Sequence, residues 1–149
     1  MIKMKLEELN IPFVITEIIT DFELNIHKAV DEVIPSVKLL GCLFYFAKAI
    51  KKKVDRSGLK TLYDNNAQFR NFIKKVIALS ALPLSDLEEG FKLLSNFEFE
   101  DEKLNEAKEL VLAYIEKYWK DGCYPPYVWN TWERADDYTN NNQVLQKKL

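Results

Sequence analysis

Glycine and proline are scarce, with 4 and 5 residues in a chain of 149. So little turn-forming material favours long regular elements over loops, and no glycine-rich phosphate cradle is present. Cysteine is nearly absent as well. Cys42 and Cys123 lie far apart, which gives neither a disulfide framework nor a paired CxxC metal knuckle. With no secretory leader at the start, reduced thiols in the nucleus or cytoplasm are expected, and secretion is not. His27 is the single histidine, and no serine–histidine triad pattern accompanies it. No apolar run approaches the roughly 20 residues of a membrane span. An excess of positive charge is also missing. The formal net charge is −2, so any contact with nucleic acid must come from a local patch.

What is present reads as one globular domain. Hydrophobic residues make up 48% and charged residues 30%, well outside the range of disordered chains. A chain of this length buries a core without disulfides or metals.

The hydrophobic pattern divides the chain in two. A short helix is expected around Lys3–Asn10. The β-branched run Ile11–Thr20 predicts a strand ending at Asp21. Phe22, Ile26, Ala29, Val30 and Val33 recur at helical spacing, and Pro35 stops that helix. Val37–Phe44 predicts a second strand, so the order β-α-β implies two parallel strands. Beyond it the pattern turns helical. Ala47, Ile50 and Val54 mark a helix closed at Ser57-Gly58, and Phe69, Phe72, Ile73, Val76 and Ile77 mark another. Ser85 and Glu88 form a capping-box pattern before Leu87, Phe91 and Leu94. Phe97–Glu102 reads as a solvated connection. Leu104, Ala107, Val111, Tyr114, Ile115 and Tyr118 define a long helix, broken by Gly122–Pro126. The expected fold class is mostly α with a small β-α-β portion. Residues 1–46 form that portion, and residues 47–149 form a helical region continuing the same domain. Two strands leave edges unpaired, so the chain is expected to belong to something larger, or to pair with a protein partner or a copy of itself.

Three segments form an ordered series: Thr20-Asp21-Phe22-Glu23, then Gly41-Cys42-Leu43-Phe44-Tyr45-Phe46, then Thr139-Asn140-Asn141-Asn142. Between them fall Lys52-Lys53-Val54, Gly58-Leu59, Tyr63, Phe69-Arg70, Leu82-Pro83, Tyr118-Trp119, Pro125-Pro126 and Trp129-Asn130. The series resembles the Mutator-like element (MULE) transposases, including relatives with FLYWCH-type zinc fingers, over about residues 1–142 of this chain. The resemblance implies a truncated RNase H-like (integrase-type) fold carrying an inserted helical region. It also implies cutting and joining of DNA by three carboxylates that hold two Mg²⁺ or Mn²⁺ ions.

Carried over residue by residue, the resemblance places the family's second acid at Asp21, where a helix N-cap is the alternative reading. The first acid belongs on a strand before the matched region. The third falls near Val144, where no acid stands, although Glu133, Asp136 and Asp137 lie upstream. The family's Cys-x-x-His pair is here Cys42 and Tyr45, and a tyrosine, with a pKa near 10, is a poor metal ligand. Cys42 also reads as a small buried hydrophobe on a strand, and His27 as a half-exposed helix residue. Cys42, Tyr45, Asn140 and Asn141 are thus motif remnants, and Asn140–Asn142 can also cap a short helix from Gln143. The expected function is a degenerate or truncated transposase derivative without cleavage or strand-transfer activity and with no resident cofactor.

Two further patterns carry alternatives. Lys48, Lys52 and Arg56 line up at i, i+4, i+8, with Lys51 and Lys53 beside them and Arg70, Lys74 and Lys75 on the next helix. They read as a DNA-contacting face or as the solvated side of an amphipathic helix. Trp119, Tyr124, Tyr127, Trp129 and Trp132 read as packing for a long terminal segment or as base-stacking rings. A helical protein-interaction module is the remaining alternative.

Overall fold

In a computed structural model the described residues are 15–134. The expectations placed on Lys3–Asn10, Ile11–Val14, Asp136, Asp137, Asn140, Asn141 and Val144 lie outside them. Strand β1 (Glu17–Thr20) leads into α1 (Leu24–Val33), and β2 (Lys38–Gly41) returns beside β1. The two strands are parallel, with Glu17 opposite Lys38 and Thr20 opposite Gly41. A salt bridge of 3.2 Å joins Lys38 to Glu17 across the first of these pairs. After the strands come α2 (Leu43–Arg56), α3 (Lys60–Asn65), α4 (Ala67–Ala78), α5 (Leu87–Ser95), α6 (Glu102–Ile115) and the single turn α7 (Pro126–Trp129). The described chain is mostly helical with a small two-stranded parallel sheet.

The second strand is shorter than the sequence suggests. The apolar run Val37–Phe44 was expected to be one strand, but the chain leaves the sheet at Gly41 and α2 begins at Leu43. The reason lies in the spacing that follows. Phe46, Ile50 and Val54 are all buried at i, i+4, i+8, so the helical face already claims the end of the run. Cys42 is therefore the residue before a helix, half-buried, and not a strand residue.

Helix ends differ in how they are satisfied. The Asn66 side chain accepts from Phe69 N at 2.9 Å and opens α4. Asp101 accepts from Lys103 N and opens α6. The capping box expected at Ser85 and Glu88 does not form. Ser85 donates to Asp86 Oδ1 instead, and α5 starts at Leu87 with no side-chain cap. Gly58, at φ +73°, follows the end of α2 in the left-handed conformation that glycine adopts without strain.

The core is built by α2, α4, α5 and α6. Ile50, Phe69, Ile73, Val76 and Trp129 are wholly buried. The stretch Phe97–Glu102, expected to be solvated, contributes Phe99 to this core, with Phe97 and Phe99 both packed against Phe72. The long helix expected through Tyr118 changes character after Ile115, where Glu116–Lys120 widen into a π turn. That turn drives Trp119 inward, 4.9 Å from Phe46.

Candidate functional site at the strand ends

Thr20 and Gly41 end their strands side by side, and Cys42 N donates to Thr20 O at 2.8 Å. Asp21 and Cys42 therefore leave the sheet together at its carboxyl end, the usual place for ligands on a parallel sheet. Asp21 is not the N-cap of α1. That position falls to Glu23, which makes no side-chain cap hydrogen bond. The one intervening residue, Phe22, is taken up by the aromatic cluster. Phe22 stands edge-on to Trp119 at 4.7 Å and to Tyr124 at 5.1 Å. Its ring lies where a side chain on Gly41 would be, 2.2 Å from an added Cβ.

Asp21 is held by its backbone. Thr20 Oγ1 donates to Asp21 O at 2.8 Å, and His27 Nε2 sits 3.0 Å from the same oxygen. A carbonyl oxygen can only accept, so Nε2 carries the ring hydrogen. His27 is buried, not half-exposed as its sequence context suggests. It is turned toward the loop it braces, with its Nε2 committed to that loop. The carboxylate itself is different. Asp21 Oδ1 is buried and has no hydrogen-bond partner among the described residues. Such a group is costly to bury without compensation.

The far end of the described chain closes over this corner. The Tyr124 hydroxyl donates to Phe22 O. Burial pushes the Tyr124 phenol above its ordinary range, and Cys123 and Asp21 push it the same way. Arg134 Nη1 donates to Gly41 O at 3.0 Å, and its Nε to Asn130 O at 2.9 Å. Asn130 Nδ2 reaches Leu82 O at 2.7 Å, while Thr131 donates to Ser80 O through both N and Oγ1. Glu133 is exposed on the turn that carries Arg134.

The sequence-predicted residues are thus divided. Asp21 and Cys42 come together at the strand ends. Tyr45 lies in the first turn of α2 with 42% exposure, and Lys48, Lys51, Lys52 and Arg56 are exposed along the same helix, with Lys53 half-buried. Of the aromatic group, Trp119, Tyr124 and Trp129 are packed, whereas Tyr127 and Trp132 are exposed at 61% and 52%. Among the described residues no group of three His, Cys, Asp or Glu side chains is placed to hold a metal ion. One orphaned carboxylate oxygen is a single ligand, so the described residues do not by themselves fit a two-metal centre.

Lys108 was not singled out from the sequence. It is 1% exposed. Its ammonium donates to Phe97 O at 2.8 Å and Ser95 O at 3.2 Å, and lies 3.2 Å from Glu109 Oε1. Its signal was its place in the apolar stripe, between Leu104 and Val111 at helical spacing. No family model, no curated protein and no solved structure matches the chain. Among the described residues no helix is long and apolar enough to cross a membrane.

Proposed function

We propose that the chain is a degenerate Mutator-like element transposase derivative that neither cuts DNA nor joins strands. The observation that carries this reading is the placement of Asp21. It follows directly on β1 at the end of a parallel strand pair, and its Oδ1 is buried without a partner among the described residues. A purely structural carboxylate in that position is expected to have a hydrogen-bond donor. A carboxylate inherited from a metal centre needs none. The β1–α1–β2 order followed by a long helical region agrees with a partial RNase H-like portion carrying inserted helices. The proposed loss of chemistry rests on two residues. Tyr45 stands where the resemblance implies a histidine, and Val144 where it implies an acid. Incubation with duplex DNA and Mg²⁺ or Mn²⁺ tests the reading, and intact DNA is the expected result. Metal-dependent cleavage that Asp21→Asn abolishes would overturn it.

A second reading, a protein-interaction module, is favoured by the outer surface of the β-α-β portion. Ile19, Leu24 and Val33 are 50%, 45% and 76% exposed, and α1 buries only His27. On the other side α7 packs along β2. β1 pairs only with β2 among the described residues, and a strand edge left open beside separately exposed apolar side chains favours pairing with another chain. Sedimentation at rising concentration separates the readings. A monomer throughout counts against the second.

A further inference from the structure

We propose that the outer face of α2 is a binding surface for single-stranded nucleic acid, with Phe44 and Tyr45 as its stacking platform and Lys48, Lys52 and Arg56 as its phosphate contacts. The inference does not depend on the transposase reading, because it rests on this face alone.

The apolar side of α2 is already spent. Phe46, Ile50 and Val54 face the core, which leaves the opposite side to water. On that side two large rings stand at the amino-terminal end. Phe44 is 49% exposed and Tyr45 42%, with centroids 5.4 Å apart and planes at 80°. Neither ring belongs to the core cluster. Exposing two adjacent aromatic residues gives up the stabilisation that their burial supplies, so packing does not account for them. Lys48 Nζ lies 5.9 Å from the Phe44 centroid and 5.7 Å from that of Tyr45. The rings and the cation thus form one unit. Lys52 and Arg56 continue the line for about 18 Å of helix.

The cations of this face are available. Lys38, Lys60, Lys108 and Lys120 each lie against a carboxylate. Lys48, Lys51, Lys52 and Arg56 have no ion pair among the described residues, although Asp55 shares their helix. A merely solvated helix face commonly laces its cations to acids one turn away. Here they are left open beside exposed rings. Phosphate contacts alone would suit a duplex equally well. The aromatic pair decides for a single strand, since only unpaired bases offer a ring face to stack. An anionic membrane would call for an apolar face of α2 turned outward, and that face is buried.

The test is fluorescence anisotropy with the full chain and labelled oligodeoxyuridylate and oligouridylate of about 20 nucleotides. A duplex of equal length and phosphatidylserine vesicles are tested in parallel. Single strands are expected to bind at low salt and more tightly than the duplex or the vesicles. Tyr45→Ala and Phe44→Ala should each weaken that binding roughly tenfold. Lys52→Gln should lower the salt slope by about 0.7. Lys103→Gln, on α6, should leave both unchanged. Because Phe44, Tyr45 and Lys52 lie on the surface, their variants should keep the native circular dichroism and melting temperature. Absence of binding at low salt overturns the proposal. So does equal or tighter binding of duplex or vesicles, or full affinity in both aromatic variants. A preference between oligodeoxyuridylate and oligouridylate, which differ only in the 2′-hydroxyl, identifies the strand as DNA or RNA.

Discussion

The Tyr124 hydroxyl donates a hydrogen bond to the carbonyl oxygen of Phe22, 102 residues earlier in the chain. That contact ties the loop after β1 to the segment after the π turn, and both rings pack on Trp119. Tyr124→Phe keeps the ring and removes the donor. It should cost about 1 kcal/mol, measured by urea denaturation at neutral pH.

The same phenol predicts an alkaline limb. Burial raises its pKa in the folded state, so the fold favours the protonated form. Its contribution to stability is complete below the unfolded value near pH 10 and is lost as pH rises through the higher folded value. Melting temperatures of Tyr124→Phe and the parent chain should therefore converge in this window. A gap that stays constant would show that the phenol does not titrate with unfolding.

Gly41→Ala should be destabilising although nothing about its backbone requires glycine. The added Cβ meets the Phe22 ring at 2.2 Å, and overpacking of this kind costs about 1–3 kcal/mol. Combined with Phe22→Leu, the loss should be smaller than the sum of the two single changes, because they share one contact. Additive losses in thermal denaturation would place the clash elsewhere.

Lys108→Met retains most of the volume and removes the donor. The Ser95 and Phe97 carbonyls, which take its hydrogen bonds, are then left short of a partner. A loss of about 1–3 kcal/mol is expected, a fall of several degrees in melting temperature. Lys108→Ala should cost more, since it also opens a cavity.

Asp21→Asn should have the opposite sign. It removes charge from a carboxylate whose Oδ1 is buried and unpaired among the described residues, and should raise the melting temperature by roughly 2–4 °C if about 1 kcal/mol is relieved. A lower melting temperature would mean that the charge is compensated in the fold, and the inherited-ligand reading would lose its main support.

The β-α-β order was legible because its signals are local. Pro35 stops one helix, Gly58 closes another, and a β-branched run precedes Asp21. The end of β2 was not, because Val37–Phe44 satisfies a strand and a buried helix start equally well, and only Ile50 and Val54 beyond it decide. The site followed the same rule. The position of Asp21 after a strand was readable. Its release from the N-cap was not, since that depends on Phe22 being drawn under Trp119 from nearly a hundred residues away. Lys108, Arg134 and Asn130 act through backbone carbonyls on distant segments, which leave no periodic trace in a sequence. The Phe97–Glu102 stretch misled because its acids mask two aromatic residues that reach the core.

The terminal segment also sets an order of opening. Beyond their mutual pairing, β1 and β2 are secured to the helical body by the Tyr124–Phe22 and Arg134–Gly41 hydrogen bonds and by the packing of Phe22 and α7. The amides of β1 and β2 should therefore lose their protection in hydrogen exchange earlier than those around Phe69 and Ile73. Breaking the ties at Tyr124 and Arg134 would loosen the two strands as a unit while the helices beneath them stay closed.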